Sequence, residues 1–268
     1  MIVKMRKEND KEKKRENDRP LILVTNDDGI SAPGIRHLVK LMSTIGDVWV
    51  VAPEKGRSGM GHAITISDIL TYRERTPRDG SVREFSCSGT PADCVKLAKN
   101  ELLERMPDLC VSGINHGSNA SINVIYSGTM AAAIEGGIEG IPSIGFSLAD
   151  PDPSADLTPM DGYILRMAQD ALEHGLPAST VLNVNFPKGK IKGAKVCRQA
   201  QTRWSQEFER RDFPRGGNYF WLTGHPICTD EGKDTDEWAL AHGYASVVPT
   251  TFDTTAYGAI DTIKKWDL

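Results

Sequence analysis

Apolar runs bounded by glycine and polar residues divide the chain into alternating strand and helix signals. Leu21-Ile22-Leu23-Val24 is unbroken and apolar and ends abruptly at Thr25-Asn26-Asp27-Asp28-Gly29, the pattern of a strand buried on both faces. Ser31-Ala32-Pro33-Gly34 then opens a helix, with Ser31 as its cap and Pro33 in its first turn. Ile35, Leu38, Val39, Leu41 and Met42 recur at helical spacing until Gly46. Asp47-Val48-Trp49-Val50-Val51-Ala52-Pro53 reads as the next buried strand. A β-α-β opening this short implies a right-handed crossover and a doubly wound sheet.

The alternation continues. Residues 66–88 read as a hairpin at the side of the sheet, turning at Pro77-Arg78-Asp79-Gly80. A helix starts at Ser88-Gly89-Thr90-Pro91, with Thr90 as cap and Pro91 at its first position. Strands follow at 109–113, 141–147 and 181–187, separated by an alanine-rich helix from Met130 and an amphipathic helix over 158–174. From about residue 195 the aromatics multiply, and Pro214-Arg215-Gly216-Gly217-Asn218 marks the tip of a long β arm. Residues 236–249 read as a short helix and a last strand. The pattern predicts an α/β fold: a doubly wound, mostly parallel sheet with helices on both faces and an extended C-terminal β-hairpin arm spanning about 195–225.

Composition narrows the class. The chain has 268 residues, 39% hydrophobic and 25% charged, with net charge −4. That is an ordinary soluble balance, with nothing in it to favour a nucleic-acid polymer as partner. No apolar run approaches the roughly 20 residues needed to span a bilayer. Residues 1–19 hold eight Lys/Arg against five Asp/Glu and lack the apolar core of a signal peptide. They read as a disordered basic tail on one acidic domain over 20–268. Cys87, Cys94, Cys110, Cys197 and Cys228 form no CxxC pair and read as small buried hydrophobes in a reducing cytoplasm.

The chemistry gathers where strands end. Asp27 and Asp28 sit beside Gly29, where a turning chain lets both carboxylates reach one hard cation; the alternative is an Asx-turn that caps the next helix. Glu54 to Thr65 carries Gly56, Gly59 and Gly61 with Arg57 and Ser58, a loop that approaches an anion closely but matches neither a Walker loop nor a dinucleotide fingerprint. Ile114-Asn115-His116-Gly117-Ser118-Asn119 offers two amide side chains. Tyr126-Ser127-Gly128-Thr129 starts the alanine-rich helix, and its exposed N–H groups suit a phosphate as well as an ordinary cap. His62 and His116 lie in these edges, where a loop-stabilising role competes with general acid chemistry.

These segments, taken in order, resemble the SurE survival-protein nucleotidases. The resemblance rests on Leu23–Gly29, Ala52-Pro53 with Arg57-Ser58-Gly59, Gly61–Thr65, Ser88–Val95, Ser112–Gly117, Tyr126–Ala133 and Gly243–Ser246. It implies a Rossmann-like fold and divalent-metal-dependent hydrolysis of nucleoside 5′- and 3′-monophosphates. It also implies homodimers or homotetramers that exchange C-terminal arms. Carried onto this chain, the metal ligands fall on Asp27, Asp28, Ser58 and Asn115, holding one Mg²⁺ or Mn²⁺ per subunit. The phosphate-binding residues fall on Asn119, Ser127, Gly128 and Thr129. Met130 stands where the family commonly has valine.

Asp27, Asp28 and Asn119 are then the residues expected to carry catalysis. The adjacent Asp-Asp differs from the Asp-x-Asp of aspartyl-phosphate enzymes, which favours water over an aspartate as the attacking group. A non-catalytic nucleotide-sensing module is the rival reading. An NAD-dependent oxidoreductase is a weaker one, for want of the glycine fingerprint.

Overall fold

The computed structural model describes residues 19–75 and 82–267. All but Arg19 of the basic tail, and the turn expected at Pro77-Arg78-Asp79-Gly80, lie outside them. In chain order the first elements are β1 (Leu21–Thr25), α1 (Pro33–Met42), β2 (Asp47–Pro53), β3 (Tyr72–Arg75), β4 (Arg83–Cys87) and α2 (Pro91–Leu97). The middle of the chain supplies β5 (Leu109–His116), α3 (Gly128–Ile138), β6 (Ser143–Leu148), α4 (Asp161–His174), β7 (Thr180–Phe186) and β8 (Ala194–Val196). The last third holds β9 (Thr202–Ser205), β10 (Phe208–Asp212), β11 (Asn218–Leu222), β12 (His225–Cys228), α5 (Asp236–Ala241) and β13 (Ala245–Thr251).

Nine strands form one sheet in the order β3-β4-β2-β1-β5-β6-β7-β13-β8. The run β4-β2-β1-β5-β6-β7 is parallel throughout. β3 joins one edge antiparallel to β4, and β13 pairs antiparallel with β7 at the other side. From β1 the chain winds outward through β2 to β4, then returns to lay β5 on β1's other side. The winding therefore reverses between β1 and β5, and open α/β sheets bind ligands in the crevice outside the carboxyl ends of such strands.

Successive residues of a strand face opposite ways, and both faces here are covered. Ile22 and Val24 of β1 pack with Ile35, Leu38 and Met42 of α1 and Ile164 and Ala168 of α4. Leu23 packs the other way, with Cys94 and Val95 of α2 and Ala132 of α3. Four of the five cysteines are buried and all are free. One expected cap is displaced: Ala32, not Ser31, stands before α1 and makes no side-chain bond. Pro33 at the first position has no N–H to satisfy, so the cap has less to do.

The aromatic segment forms an arm. β10 and β11 pair as a hairpin from Phe208↔Leu222 to Asp212↔Asn218, and β9 pairs with β12 beneath it. At its tip Gly216 and Gly217 both take φ of +91°, which only glycine adopts without strain.

Candidate active site

The end of β1 lies between β2 and β5, the strands that lead to the other candidate edges. Gly29 takes φ of +97°, and Asn26 Nδ2 donates to its carbonyl at 3.0 Å, so the chain turns sharply after Asp28. Asp27 is 4% exposed and accepts a hydrogen bond of 2.6 Å from Thr129 Oγ1, in the first turn of α3. Between them sits Gly128: a Cβ there would lie 2.8 Å from Asp27 Cβ and 3.1 Å from Asp27 Oδ2. Contact between the carboxylate and the helix start requires glycine. Ser127 caps α3, its hydroxyl accepting from Met130 N at 3.0 Å.

The second edge reaches the same place through the backbone. Arg57 N donates to Asp27 O at 2.7 Å and Ile30 N to Pro53 O at 2.9 Å, so Ser58 follows directly on a residue fastened to Asp27. Arg57 Nη2 also donates to Ser88 O at 2.6 Å. Ser58 itself is exposed. On the third edge, Asn115 Nδ2 donates to Gly117 O at 2.8 Å, which leaves its amide oxygen for a ligand.

Electrostatics marks the pair. Burial, partly offset by the Thr129 hydroxyl and reinforced by the Asp28 charge, pushes the Asp27 carboxyl up to about 6. Burial also raises Asp28, with His116 beside it pulling the other way. Among the described residues, the buried Asp28 Oδ2 finds no hydrogen-bond partner. Two crowded, desolvated carboxylates, one with an orphaned oxygen, fit a cation. The nearby donors are hydroxyl and amide oxygens, and among the described residues no cluster of three His, Cys, Asp or Glu forms. Such an oxygen set suits Mg²⁺ or Mn²⁺ rather than zinc.

Asn119 is held by residues the sequence reading passed over. Its N–H donates to Asn185 Oδ1 at 2.8 Å, its carbonyl accepts from Asn183 Nδ2 at 2.8 Å, and its own Nδ2 donates to Ser147 Oγ at 2.8 Å. Asn183 and Asn185 share one face of a largely apolar strand, a pattern that marks a buried polar contact but not the loop it serves. His62 turns away from general acid chemistry: its Nε2 lies 2.9 Å from Glu135 Oε2 of α3, and Lys96 Nζ pairs with the other oxygen at 2.6 Å. Burial would raise Glu135, but His62 and Lys96 outweigh it and hold the carboxyl below its ordinary range. His62 thus ties the glycine-rich loop to α3.

A cavity of about 510 Å³ opens farther along the same sheet edge, lined by Leu148, Asp150, Met160, Lys188, Lys190 and Ile191 among others. None of the candidate site residues lines it.

The family model described as survival protein SurE matches residues 22–206. A 5′-nucleotidase SurE from Flavobacterium psychrophilum is 59% identical over 253 residues, covering 93% of this chain and 98% of the relative. One from Christiangramia forsetii is 60% identical over 254 residues, with coverage of 93% and 98%. The crystal structure of the SurE protein from Aquifex aeolicus superposes with a TM-score of 0.79 at 36% identity, covering 91% of this chain and 98% of that one.

Proposed function

Because the chain belongs to the survival protein SurE family, we propose that it is a 5′-nucleotidase, a divalent-metal-dependent phosphomonoesterase that releases phosphate from nucleoside 5′-monophosphates and also from 3′-monophosphates. The observation that supports this reading is the adjacent pair of buried Asp27 and half-buried Asp28, one Asp28 oxygen without a hydrogen-bond partner among the described residues, with Asp27 bonded to the first turn of α3. Pure phosphate binding gains nothing from two adjacent anions. The same pair would hold a cation, which would supply charge neutralisation for hydrolysis.

Magnitudes require more than the helix start. Phosphate-monoester hydrolysis is accelerated by enzymes up to about 10²¹-fold, roughly 28 kcal/mol. One preorganised donor supplies about 3–4 kcal/mol. Asp27, Asp28, Ser58 and Asn115 would hold one Mg²⁺ or Mn²⁺. Bound there, it would neutralise charge on the phosphoryl oxygens and lower the pKa of water.

The chain's own residues supply the rest. The backbone N–H groups of the Ser127-Gly128-Thr129 turn point their positive dipole end at the phosphoryl group. Asn119, fixed on three sides, holds the group in line for water. Asp27 or Asp28 accepts the proton that the attacking water gives up as its oxygen bonds to phosphorus, and returns it to the nucleoside oxygen as the P–O ester bond breaks. Thr129 keeps Asp27 oriented through its 2.6 Å bond.

A cytoplasmic homodimer or homotetramer with exchanged arms completes the reading. Among the described residues no helix is long and apolar enough to cross a membrane. Phosphate release from AMP, with Mn²⁺ restored after chelation, tests it. Release should stop with chelator and return with the metal; turnover indifferent to chelator would overturn the metal's role, and nucleotide binding without release would leave a sensing module.

A further inference from the structure

The loop between Asn119 and Ser127 connects two parts of the proposed phosphate site, and it is fixed in its middle by the roots of the arm. Ser121 is 1% exposed and takes φ of +52°, a left-handed conformation that a non-glycine residue keeps only when its surroundings enforce it. Side chains at the roots of the arm enforce it. Ser121 N donates to Asp236 Oδ2 at 2.7 Å, and Ser121 Oγ donates to Glu237 Oε1 at 2.9 Å while accepting from Thr202 Oγ1 at 2.9 Å. Thr202 Oγ1 also accepts from Ile122 N at 3.3 Å. Trp204 Nε1 donates to Asn123 Oδ1 at 2.9 Å.

These partners come from both ends of the arm. Thr202 and Trp204 lie on β9, where the arm leaves the sheet, and Asp236 and Glu237 open α5, just after it returns. Asp236, fully buried, joins the two ends by accepting from Ala200 N at 2.9 Å with its other oxygen. Arg198 braces them again, bonding Asp230 and Asp234.

We infer that Thr202, Trp204, Ser121 and Asp236 are positioning residues for the phosphate site: the arm's roots set the path of the loop from Asn119 to Ser127, and through it the spacing between Asn119 and the helix start. Simple anchoring would need one bond, whereas three consecutive loop residues, 121 to 123, are each gripped from the arm side. A buried polar network of this kind holds one arrangement while complete and loses it when one member is deleted. A misplacement near 1 Å at such a site costs about 100-fold in rate.

The inference rests on the phosphate-site reading above, and the test separates the two. In the full-length, Mn²⁺-loaded protein, Thr202→Val removes one hydroxyl that serves two loop groups, and Thr202→Ser restores it. Trp204→Phe deletes the single bond to Asn123 at a half-exposed position, as a variant that keeps the fold. Expected for Thr202→Val is a roughly tenfold loss of kcat/KM on AMP, a similar weakening of inorganic phosphate binding in calorimetry, and Mn²⁺ affinity within about twofold of the parent's, because none of the gripped residues 121 to 123 is among the proposed metal ligands. Thr202→Ser should recover both, and Trp204→Phe should show a smaller loss of the same kind. A lowered melting temperature with phosphate affinity and kcat/KM intact would reduce the network to scaffolding and overturn the inference, as would a loss of phosphate and Mn²⁺ affinity together. A parent protein that released no phosphate from any nucleotide would instead sink the proposed activity, and the phosphate titrations would still decide the positioning claim.

Discussion

Asp27 concentrates the conflict between folding and function in one side chain. Its carboxyl titrates at about 6 against an ordinary 3.8, so between those values the folded, metal-free protein keeps a proton that the unfolded chain has released. Stability from this group is therefore full below pH 4 and declines as pH rises to 6, by about 3 kcal/mol. A bound cation would return that loss. Asp27→Asn removes the penalty while its amide oxygen still accepts from Thr129. The variant should melt several degrees higher than the parent in chelator at pH 8, about 2–4 °C per kcal/mol at this size, and should match it at pH 3.5. It should also release no phosphate. Equal melting at pH 8 would show that the carboxylate is not strained. Gly128 makes a second residue-scale claim. A Cβ 2.8 Å from Asp27 Cβ must push the carboxylate away from the helix start, so Gly128→Ala should fold with unchanged circular dichroism yet lose about 100-fold in kcat. Retained activity there would mean that Asp27 and α3 need not touch.

At the scale of elements, the loops are held by side chains that also start helices. Thr90 and Asp93 form a capping box at the head of α2: Asp93 N donates to Thr90 Oγ1 at 3.1 Å and Thr90 N to Asp93 Oδ2 at 2.9 Å. The same carboxylate accepts from Thr65 Oγ1 at 2.6 Å, fastening the far end of the glycine-rich loop. Burial raises Asp93, but the bonds from Thr65 and Thr90 prevail and keep it below its ordinary range. Asp93→Ala should cost about 1–3 kcal/mol in urea unfolding at pH 7. A carboxyl lowered on folding stabilises above its unfolded pKa and loses that contribution as pH falls through the folded one, so parent and variant should converge in acid, below the folded pKa. A difference that persisted in acid would assign the effect to packing. This capping box was partly legible in advance, because Thr-Pro ahead of an apolar run announces a helix start. The parallel strands were legible for the same local reason: a continuous apolar run has no exposed face to mark with polar residues. What stayed illegible depends on partners far away in sequence. No local pattern says that β13 lies antiparallel on β7, or that Asn183 and Asn185 point at a loop over sixty residues earlier. Polar residues inside a buried strand look like interruptions until the loop they hold is seen. The cap of α1 went to Ala32 rather than Ser31 because Gly29's turn, closed by Ala32 N donating to Gly29 O at 3.0 Å, had already fixed where the helix could begin.

For the whole molecule, the unresolved energetic question is the arm. Every residue of β10 is exposed, and Phe208, Trp221 and Leu222 are 67%, 57% and 72% exposed. A chain that leaves several large apolar side chains of one arm in water gains by covering them, and a second copy of the same chain offers the matching surface by symmetry. The hairpin contributes no residue to the cores of the main sheet, so its removal should not unfold the domain. Thr223 N donates to Glu207 O at 2.8 Å, which brings the hairpin's two ends close enough to be rejoined by two glycines. Parent protein should scatter light as a dimer or tetramer, and the shortened chain should run smaller while keeping its melting transition. A strictly monomeric parent would refute arm exchange outright. The shortened chain bears on the site as well. Thr202, Trp204 and Asp236 remain in it, so the loop from Asn119 to Ser127 keeps every bond within its own chain. Its phosphate affinity should stay within about twofold of the parent's, inside the usual limit of additivity for distant sites. A larger loss would mean that the grip on Ser121 is completed by tension from the exchanged arm rather than by the bonds at its root.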